Sequence, residues 1–363
     1  MGDSISAQAQ WTVGLDLGDR HSQLCVLDDL GEVVEEGRVA TRESALRARF
    51  EGGSLMRIVV EAGTHSPWVS RLLSDLGHEV IVANPRKVAL ISGNESKTDQ
   101  VDARTLARLG RVDCSLLHPI QHRSAQTLAD RAVLRARDVL VRMRTQTINA
   151  VRGTLKTAGV RMPSGGSSAA FARRAAAHVP ASLEPALGGL LEQIAALTER
   201  IRAYDARVEA LCTASYPHTE RLRQVSGVGP VTALAFVLSL EDAARFTRSR
   251  AVGSYLGLRP RRSQSGARDP ELRITKAGDP DLRRLLVTSA QYILGPFGPD
   301  TDLRRFGERL AARGGKAAKK RAVVAVARKL AVLLHRLWVT GERYEPLRNA
   351  DRVAAQAAAP QAA

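Results

Sequence analysis

The sequence predicts an α/β domain at the amino end followed by a mostly helical region. Three observations carry that prediction. The first hundred residues contain short runs rich in β-branched residues, separated by turn-forming residues. From Ser124 onward, apolar residues recur at helical spacing. The charge also changes sign: residues 1–113 hold 13 Lys+Arg and 17 Asp+Glu, net −4, and the remaining 250 hold 41 and 20, net +21. The whole chain of 363 residues carries +17, and its length suits two or three domains.

Taken in order, Trp11–Gly18, Gln23–Leu27 and Val33–Ala40 read as three strands joined by short turns. A helix over Glu43–Phe50 follows, then a strand at Arg57–Glu61 and a helix near Pro67–Leu76. A strand at Glu79–Ala83 and a helix from about Lys97 to Leu109 complete the domain. Three antiparallel strands followed by alternating helices and strands is the order of the ribonuclease H-like fold. Actin-like ATPases share that core, so site residues must separate the two. Gly14-Leu15-Asp16-Leu17-Gly18 would serve as a first phosphate loop, but neither a second such loop nor an adenosine-binding glycine motif follows.

Ser124–Leu155 reads as a basic helix; Arg123–Lys156 carries a net +6. Arg161–Gly189, rich in Gly, Ser, Ala and Pro, reads as a loosely structured connector. Leu190, Ile194, Leu197, Ile201, Tyr204, Val208 and Leu211 then recur at alternating spacings of four and three, an a/d seam over three heptads. It suits pairing with another subunit, the favoured reading, or folding back on the basic helix. The resulting division is a ribonuclease H-like domain at 10–113, a helical and coiled-coil segment at 120–212, a mostly α domain at 220–345 and a disordered tail at 346–363.

Composition excludes several classes. With 44% hydrophobic and 25% charged residues, the chain is not disordered throughout. Only 14 residues are aromatic, which disfavours RNA recognition on a stacking platform. Cys25, Cys114 and Cys212 show no paired or metal-binding spacing and suit a reducing cytoplasm. The first ten residues are polar, unlike a secretory signal. Ala322–Val339 is interrupted by Arg328, Lys329, His335 and Arg336, so it reads as a core or amphipathic helix, and no membrane partner is expected.

Four carboxylates stand out. Asp16 lies within an apolar strand, where an ionised group is costly unless paired or bound to a cation. Glu61 ends Ile58-Val59-Val60-Glu61, and Asp99 and Asp102 sit three apart at a helix start and so share a face. In a ribonuclease H-like fold these elements converge on one cleft, where two Mg²⁺ ions roughly 3.5–4 Å apart would act on a phosphodiester. Each has a plainer reading: Asp99 and Asp102 also complement a helix N-terminus, and Glu61 also suits a water-facing strand end. Asp19 is near enough to compete for the first metal position.

In the rear half, Val225-Ser226-Gly227-Val228-Gly229-Pro230 before an apolar run resembles a helix-hairpin-helix, with Gly227 and Gly229 admitting a phosphate to the backbone. A tight interhelical turn is the alternative. Further on, Ser263 and Ser265 lie beside Gly266 among Arg259, Arg261 and Arg262, with Lys276, Arg283 and Arg284 downstream. An accessible hydroxyl among cations is what a phosphoryl-transfer nucleophile requires.

These motifs, in this order, resemble the DEDD-type (RuvC-like) insertion-sequence transposases with a carboxy-terminal catalytic serine, the bridge-RNA-guided recombinases. The resemblance runs from about Trp11 to Tyr344. It rests on the Gly-x-Asp strand at Asp16, Val-Glu-Ala-Gly at Glu61 and Lys-Thr-Asp-x-x-Asp-Ala at Asp99 and Asp102. Its rear marks are Gly-Val-Gly-Pro, Leu-Gly-Leu-x-Pro before a Ser-Gly, and Ile-Thr-Lys-x-Gly-Asp leading to Leu-Arg-Arg-Leu-Leu. The resemblance implies that Asp16, Glu61, Asp99 and Asp102 bind Mg²⁺ and that a serine attacks DNA and joins a 5′-phosphate. Ser265, beside the glycine, is the first choice and Ser263 the second, because the chain reads Ser-Gln-Ser-Gly where family members often read Ser-Ser-Gly after tyrosine or histidine. It further implies donor and target DNA, a structured guide RNA, and a homodimer or homotetramer that assembles carboxylates and serine. The competing readings are a metal-dependent junction nuclease that uses water and a non-enzymatic basic nucleic-acid-binding protein.

Overall fold

The computed structural model describes residues 11–86, 99–163, 165–264 and 272–349. These form two compact units divided after Ser124.

The first unit is built on a mixed five-stranded sheet. Its strands are β1 (Trp11–Asp16), β2 (His21–Leu27), β3 (Val33–Ala40), β4 (Met56–Glu61) and β5 (Glu79–Ala83), in the order β3-β2-β1-β4-β5. β1, β2 and β3 pair antiparallel as a meander, while β1–β4 and β4–β5 pair parallel. This is the ribonuclease H-like arrangement expected from the element order. Helices α1 (Glu43–Phe50) and α2 (Ser66–Asp75) join the strands, and α3 (Asp99–Val112) follows β5.

Strand alternation sorts the core into two layers. Val13 and Leu15 of β1 and Ile58 and Val60 of β4 pack with Leu46, Phe50, Val69 and Leu73 of α1 and α2. The intervening positions face α3: Val59 packs with Leu106 and Leu109, and Cys25 and Leu27 pack with Ala103 and Ala107.

Among its described residues, the regular elements of the second unit are helices, apart from one isolated β-bridge. α4 (Ala125–Thr157) and α6 (Glu184–Ala214) form an antiparallel hairpin, with the short α5 (Phe171–Ala176) at its closed end. α7 (Thr219–Arg223), α8 (Pro230–Leu240), α9 (Arg250–Tyr255), α10 (Pro280–Leu294), α11 (Asp302–Ala311) and α12 (Gly315–Thr340) follow. α8 is apolar on all sides and forms part of a core shared with α10 and α12.

Two expectations about this unit change. The heptad seam is used within the chain, by more than one neighbour: Leu190 and Ile194 of α6 pack with Ile148, Val151 and Leu155 of α4, Val208 and Leu211 pack with Leu234 and Leu238 of α8 and with Val133 and Leu134 of α4, and Arg137 pairs with Asp205. A heptad specifies an apolar stripe, not its occupant, and the connector is long enough to return the chain to α4. The connector is also more ordered than its composition suggested. It carries α5, whose Phe171 is buried beneath the Arg152 guanidinium, and α6 begins at Glu184 with Pro185 in its first turn.

Among the described residues, no helix is long and apolar enough to cross a membrane. Residues 346–349, placed by the sequence in the tail, bond to the start of α11: the Asp302 N–H donates to Pro346 O at 2.7 Å, and the Asn349 N–H donates to Asp302 Oδ2 at 2.7 Å. Residues 350–363 lie outside the described residues.

Candidate active site

The first two candidate carboxylates close neighbouring strands that end together. Leu15 of β1 is in register with Val60 of β4, so the next residues, Asp16 and Glu61, close adjacent parallel strands at the same sheet edge. Alternation places both on the α3 face, beyond Gly14 and Val59.

Four small residues bring α3 onto that face. A Cβ on Gly14 would lie 1.9 Å from Ala103 O and 2.5 Å from Ala107 N, and one on Gly110 would lie 2.3 Å from Val59 Cγ2. The glycines and alanines therefore form a close-packing seam between helix and sheet, with α3 running antiparallel to β1. Its N-terminus reaches the edge where Asp16 and Glu61 lie. Asp102, one residue before Ala103, is buried there at 6% exposure. Asp99 is the first residue of α3, and its side chain lies outside the described residues. Glu36 of β3 fixes the start of the helix by accepting from Arg104 Nη2 at 2.7 Å and Gln100 Nε2 at 3.0 Å.

Gly14→Ala is therefore expected to push α3 off the sheet and destabilise the first unit by about 3 kcal/mol. Urea unfolding followed by near-ultraviolet dichroism checks this, with a lowered midpoint expected. An unchanged midpoint would show that the seam is not close-packed.

Other contacts shape the loops beside the strand ends. The Trp68 indole N–H donates to His65 Nδ1 at 3.1 Å. Neutral His65 therefore carries its proton on Nε2, which faces Asp19 Oδ1 at 3.3 Å. Ser66 Oγ accepts from the Gly63 N–H at 2.9 Å and lies 2.9 Å from His122 Nε2, holding the turn after Glu61. Burial, together with Arg71 and Arg123, holds the His122 pKa below the usual histidine value. Sequence reasoning misses these residues because the partners are separated by up to 56 positions.

The donor set is hard oxygen, which suits Mg²⁺ or Mn²⁺ rather than a soft metal. Among the described residues, which do not include the Asp99 side chain, no group of three or more His, Cys, Asp or Glu side chains stands ready to hold a metal ion.

The serine loop stands on an interlocked base. The Arg261 N–H donates to Arg273 O and the Thr275 N–H to Arg259 O, each at 2.9 Å, around the Pro260–Ile274 bridge. Gly257 has φ +67°, and a Cβ there would sit 2.3 Å from the Ala277 backbone. Gly278, at φ +71°, is equally tight against Tyr255 O. The Leu-Gly-Leu and Lys-Ala-Gly-Asp motifs thus clasp each other. Ser263, Arg259, Arg261, Arg262 and Lys276 are exposed, and Lys276 holds a left-handed backbone at φ +56°. Ser265 lies outside the described residues.

The other residues of the basic reading have defined neighbours. Arg283 donates to the carbonyls of Leu256 and Ala277 at 2.9 and 2.7 Å, bracing the same clasp. Arg284 pairs with Asp138 of α4 at 2.6 Å. Gly227, at φ +84°, packs against Ser289 O and Tyr292 of α10, whereas Gly229 opens α8 with clear space beside its Cα.

Comparison with known proteins agrees with this architecture. A transposase profile, DEDD_Tnp_IS110, matches residues 13–159, spanning β1 to the end of α4. A second, described as Transposase IS116/IS110/IS902 family, matches residues 219–302. A protein of Pseudomonas aeruginosa named "Probable family 20 transposase" is 30% identical over 298 residues, covering 80% of this chain and 86% of that protein. The chain belongs to the IS110/IS1111 family of transposases. The transposase of insertion sequence IS1111A from Coxiella burnetii is 28% identical over 341 residues, covering 92% of this chain and 90% of its own. That of IS1328 from Yersinia enterocolitica is 30% identical over 245 residues, covering 64% and 69%. The chain is accordingly a DNA phosphoryl-transfer enzyme of an insertion sequence, and its DEDD domain is of a class that uses divalent metal.

Proposed function

We propose that this transposase cuts and rejoins DNA through a serine hydroxyl, assisted by a Mg²⁺-holding tetrad of Asp16, Glu61, Asp99 and Asp102. The observation that carries the reading is the convergence of the β1 end, the β4 end and the α3 N-terminus on one edge of one sheet face. Asp102 is buried in the first turn of α3, at a helix N-terminus that favours anions. Bound there, Mg²⁺ would neutralise charge building up on a scissile phosphodiester and its leaving oxygen.

In the cutting step the serine Oγ gives up its proton and bonds to phosphorus. The P–O3′ bond breaks, and the departing oxygen takes a proton as a 3′-hydroxyl. The DNA 5′-phosphate is then esterified to the protein. In the joining step a 3′-hydroxyl of the other duplex attacks that phosphorus, the P–Oγ bond breaks and the serine regains its proton. No net energy source is consumed, since one phosphodiester replaces another. Ser265 is the nucleophile in this reading and Ser263 its alternative, both close after Arg259, Arg261 and Arg262 in the sequence, whose cations suit a pentacovalent phosphate.

The reading includes donor and target DNA, a structured guide RNA and a homodimer or homotetramer. Support for the RNA is the basic composition of α4 and the family resemblance. Arg131, Arg137 and Arg144 of that helix are engaged by Asp279, Asp205 and Thr198 respectively, so an RNA would use its other cations.

The test is capture of a covalent protein–DNA adduct on a nicked suicide substrate. Loss of the adduct in the Ser263→Ala/Ser265→Ala double variant, with an intact control at Ser254, is the expected result. Adduct and strand exchange persisting in the double variant would make the serine reading wrong. Cleavage without an adduct would favour the water-using nuclease.

A further inference from the structure

The second unit carries a groove that the family profiles cover only in part. It is walled mainly by α11, α12 and residues 344–349, with residues 258–260 and 272–276 along one side, so most of it lies beyond residue 302, where the second profile ends. Its volume, about 1740 Å³, exceeds the roughly 300–1,000 Å³ typical of small-molecule sites, so it suits a polymer segment better than a metabolite.

The lining is two-natured. Twelve Lys or Arg side chains face two carboxylates, those of Asp302 and Glu345. Between the cations runs an apolar floor that includes Leu272, Phe306, Leu310 and Val324. Arg305 and Arg309 lie one turn apart on α11 with Arg313 just past its end, and Arg321, Arg328 and Arg336 recur at seven and eight along α12. Some are held by the protein: Arg305 by Asp300, Arg336 by Glu342 and Lys329 over the Phe306 ring at 3.9 Å. Arg309, Arg313 and Lys320 are exposed and have no acidic partner among the described residues.

We infer that this groove binds an unpaired nucleic-acid strand, with phosphates on the cationic rim and bases or sugars on the apolar floor. Charge selects a polyanion. The floor selects the unpaired form, because a closed duplex presents its phosphates outward and hides its base faces, leaving Leu272 (38% exposed) and its neighbours against water. Phe306 and Tyr344 are the aromatic residues of the lining, so ring stacking contributes little and the cations supply most of the grip. Binding is therefore sequence-tolerant and steeply salt-dependent. The inference rests on the transposase reading only in taking nucleic acid as the polyanion, and it is independent of the serine and the metal.

The experiment uses the full chain in metal-free buffer, with fluorescent 20-nucleotide single-stranded DNA, the matching RNA, the DNA duplex and a poly-glutamate peptide as probes. The triple variant Arg309→Ala/Arg313→Ala/Lys320→Ala is expected to bind single strands at least about tenfold more weakly at 0.15 M salt. Its slope of log K against log salt should fall by about two, from some 0.7 per lost phosphate contact. Leu272→Ala is expected to weaken single strands about fivefold while sparing the duplex. The DNA and RNA arms distinguish which strand the groove takes, and either one bound preferentially over duplex supports the inference. Equal losses for duplex and single strand, unchanged single-strand binding in the triple variant, or preference for the peptide would overturn it. Asp16→Asn should bind strands normally while losing cleavage, so failure of the groove and failure of the catalytic reading give different patterns.

Discussion

Asp16→Asn is expected to lower the rate of DNA strand cleavage about a thousandfold, ~4 kcal/mol of transition-state stabilisation, without lowering the melting temperature. Asp16 and Glu61 close adjacent parallel strands, and Asp102 is held at the same edge by α3. Asn matches the size and shape of the Asp side chain it replaces, so little stability is expected to be lost. A residue kept for stability would behave the other way. Asp28→Asn is the matched control. Asp28 lies in the β2–β3 turn, where its carboxylate accepts from the Leu30 and Glu32 N–H groups at 2.9 Å, and the variant should cut DNA normally. Single-turnover cleavage with parallel thermal melting reads both quantities. A large loss of stability with cleavage retained would show Asp16 to be structural.

Arg131→Ala is expected to cost the second unit about 3–5 kcal/mol, because it breaks a buried ion pair from one side only. The Arg131 guanidinium of α4 donates to Asp279 Oδ2 at 2.6 Å and to Ser239 Oγ of α8 at 2.7 Å. Ser239 Oγ in turn donates to Asp279 Oδ2 at 2.8 Å. Asp279 also caps α10, its Oδ1 accepting from the Asp281 and Leu282 N–H groups. Three helices thus meet on one carboxylate whose side chain is 7% exposed, and removing the arginine leaves that charge buried and unmatched.

Burial alone would raise the Asp279 pKa. The Arg131 hydrogen bond and charge, the Leu282 N–H and the Ser239 hydroxyl outweigh it and hold the group at about 2. A folded pKa below the unfolded value of about 3.9 means the ionised group stabilises the fold above that pH, and the contribution fades as pH falls toward 2. Its size is ~2–3 kcal/mol. The stability gap between the native chain and Asp279→Asn, measured by urea unfolding, should therefore be full at pH 6 and shrink between pH 4 and 2. A gap independent of pH would mean that the carboxylate is not ionised in the fold.

Much of the first unit was legible because its signals are local. β-branched runs bounded by turn residues locate all five strands, and with them the position of Asp16 and Glu61 at strand ends. What the residues could not reveal was how closely α3 approaches. That depends on Gly14, Ala103, Ala107 and Gly110 meeting across nearly a hundred positions, and each of them alone reads as an ordinary small residue. The heptad seam was legible as apolar but not as internal, since periodicity names a stripe and not its partner. Arg283 and Arg284 read as cations downstream of the serines, and Asp279 only as the end of a family motif. The fold uses Asp279 to fasten three helices and Arg283 to brace a clasp. The α11–α12 groove was illegible for the opposite reason: its cations add to a total of +17, and a total does not place them on a common face.

The most direct test of the central reading is Mn²⁺ binding, followed by electron paramagnetic resonance on the full chain without DNA. Carboxylate-dependent sites are predicted, lost in Asp16→Asn and in Asp102→Asn while both variants remain folded. Mn²⁺ binding unchanged in both variants would contradict that reading, because the converging strand ends and helix start would then not be what holds the metal.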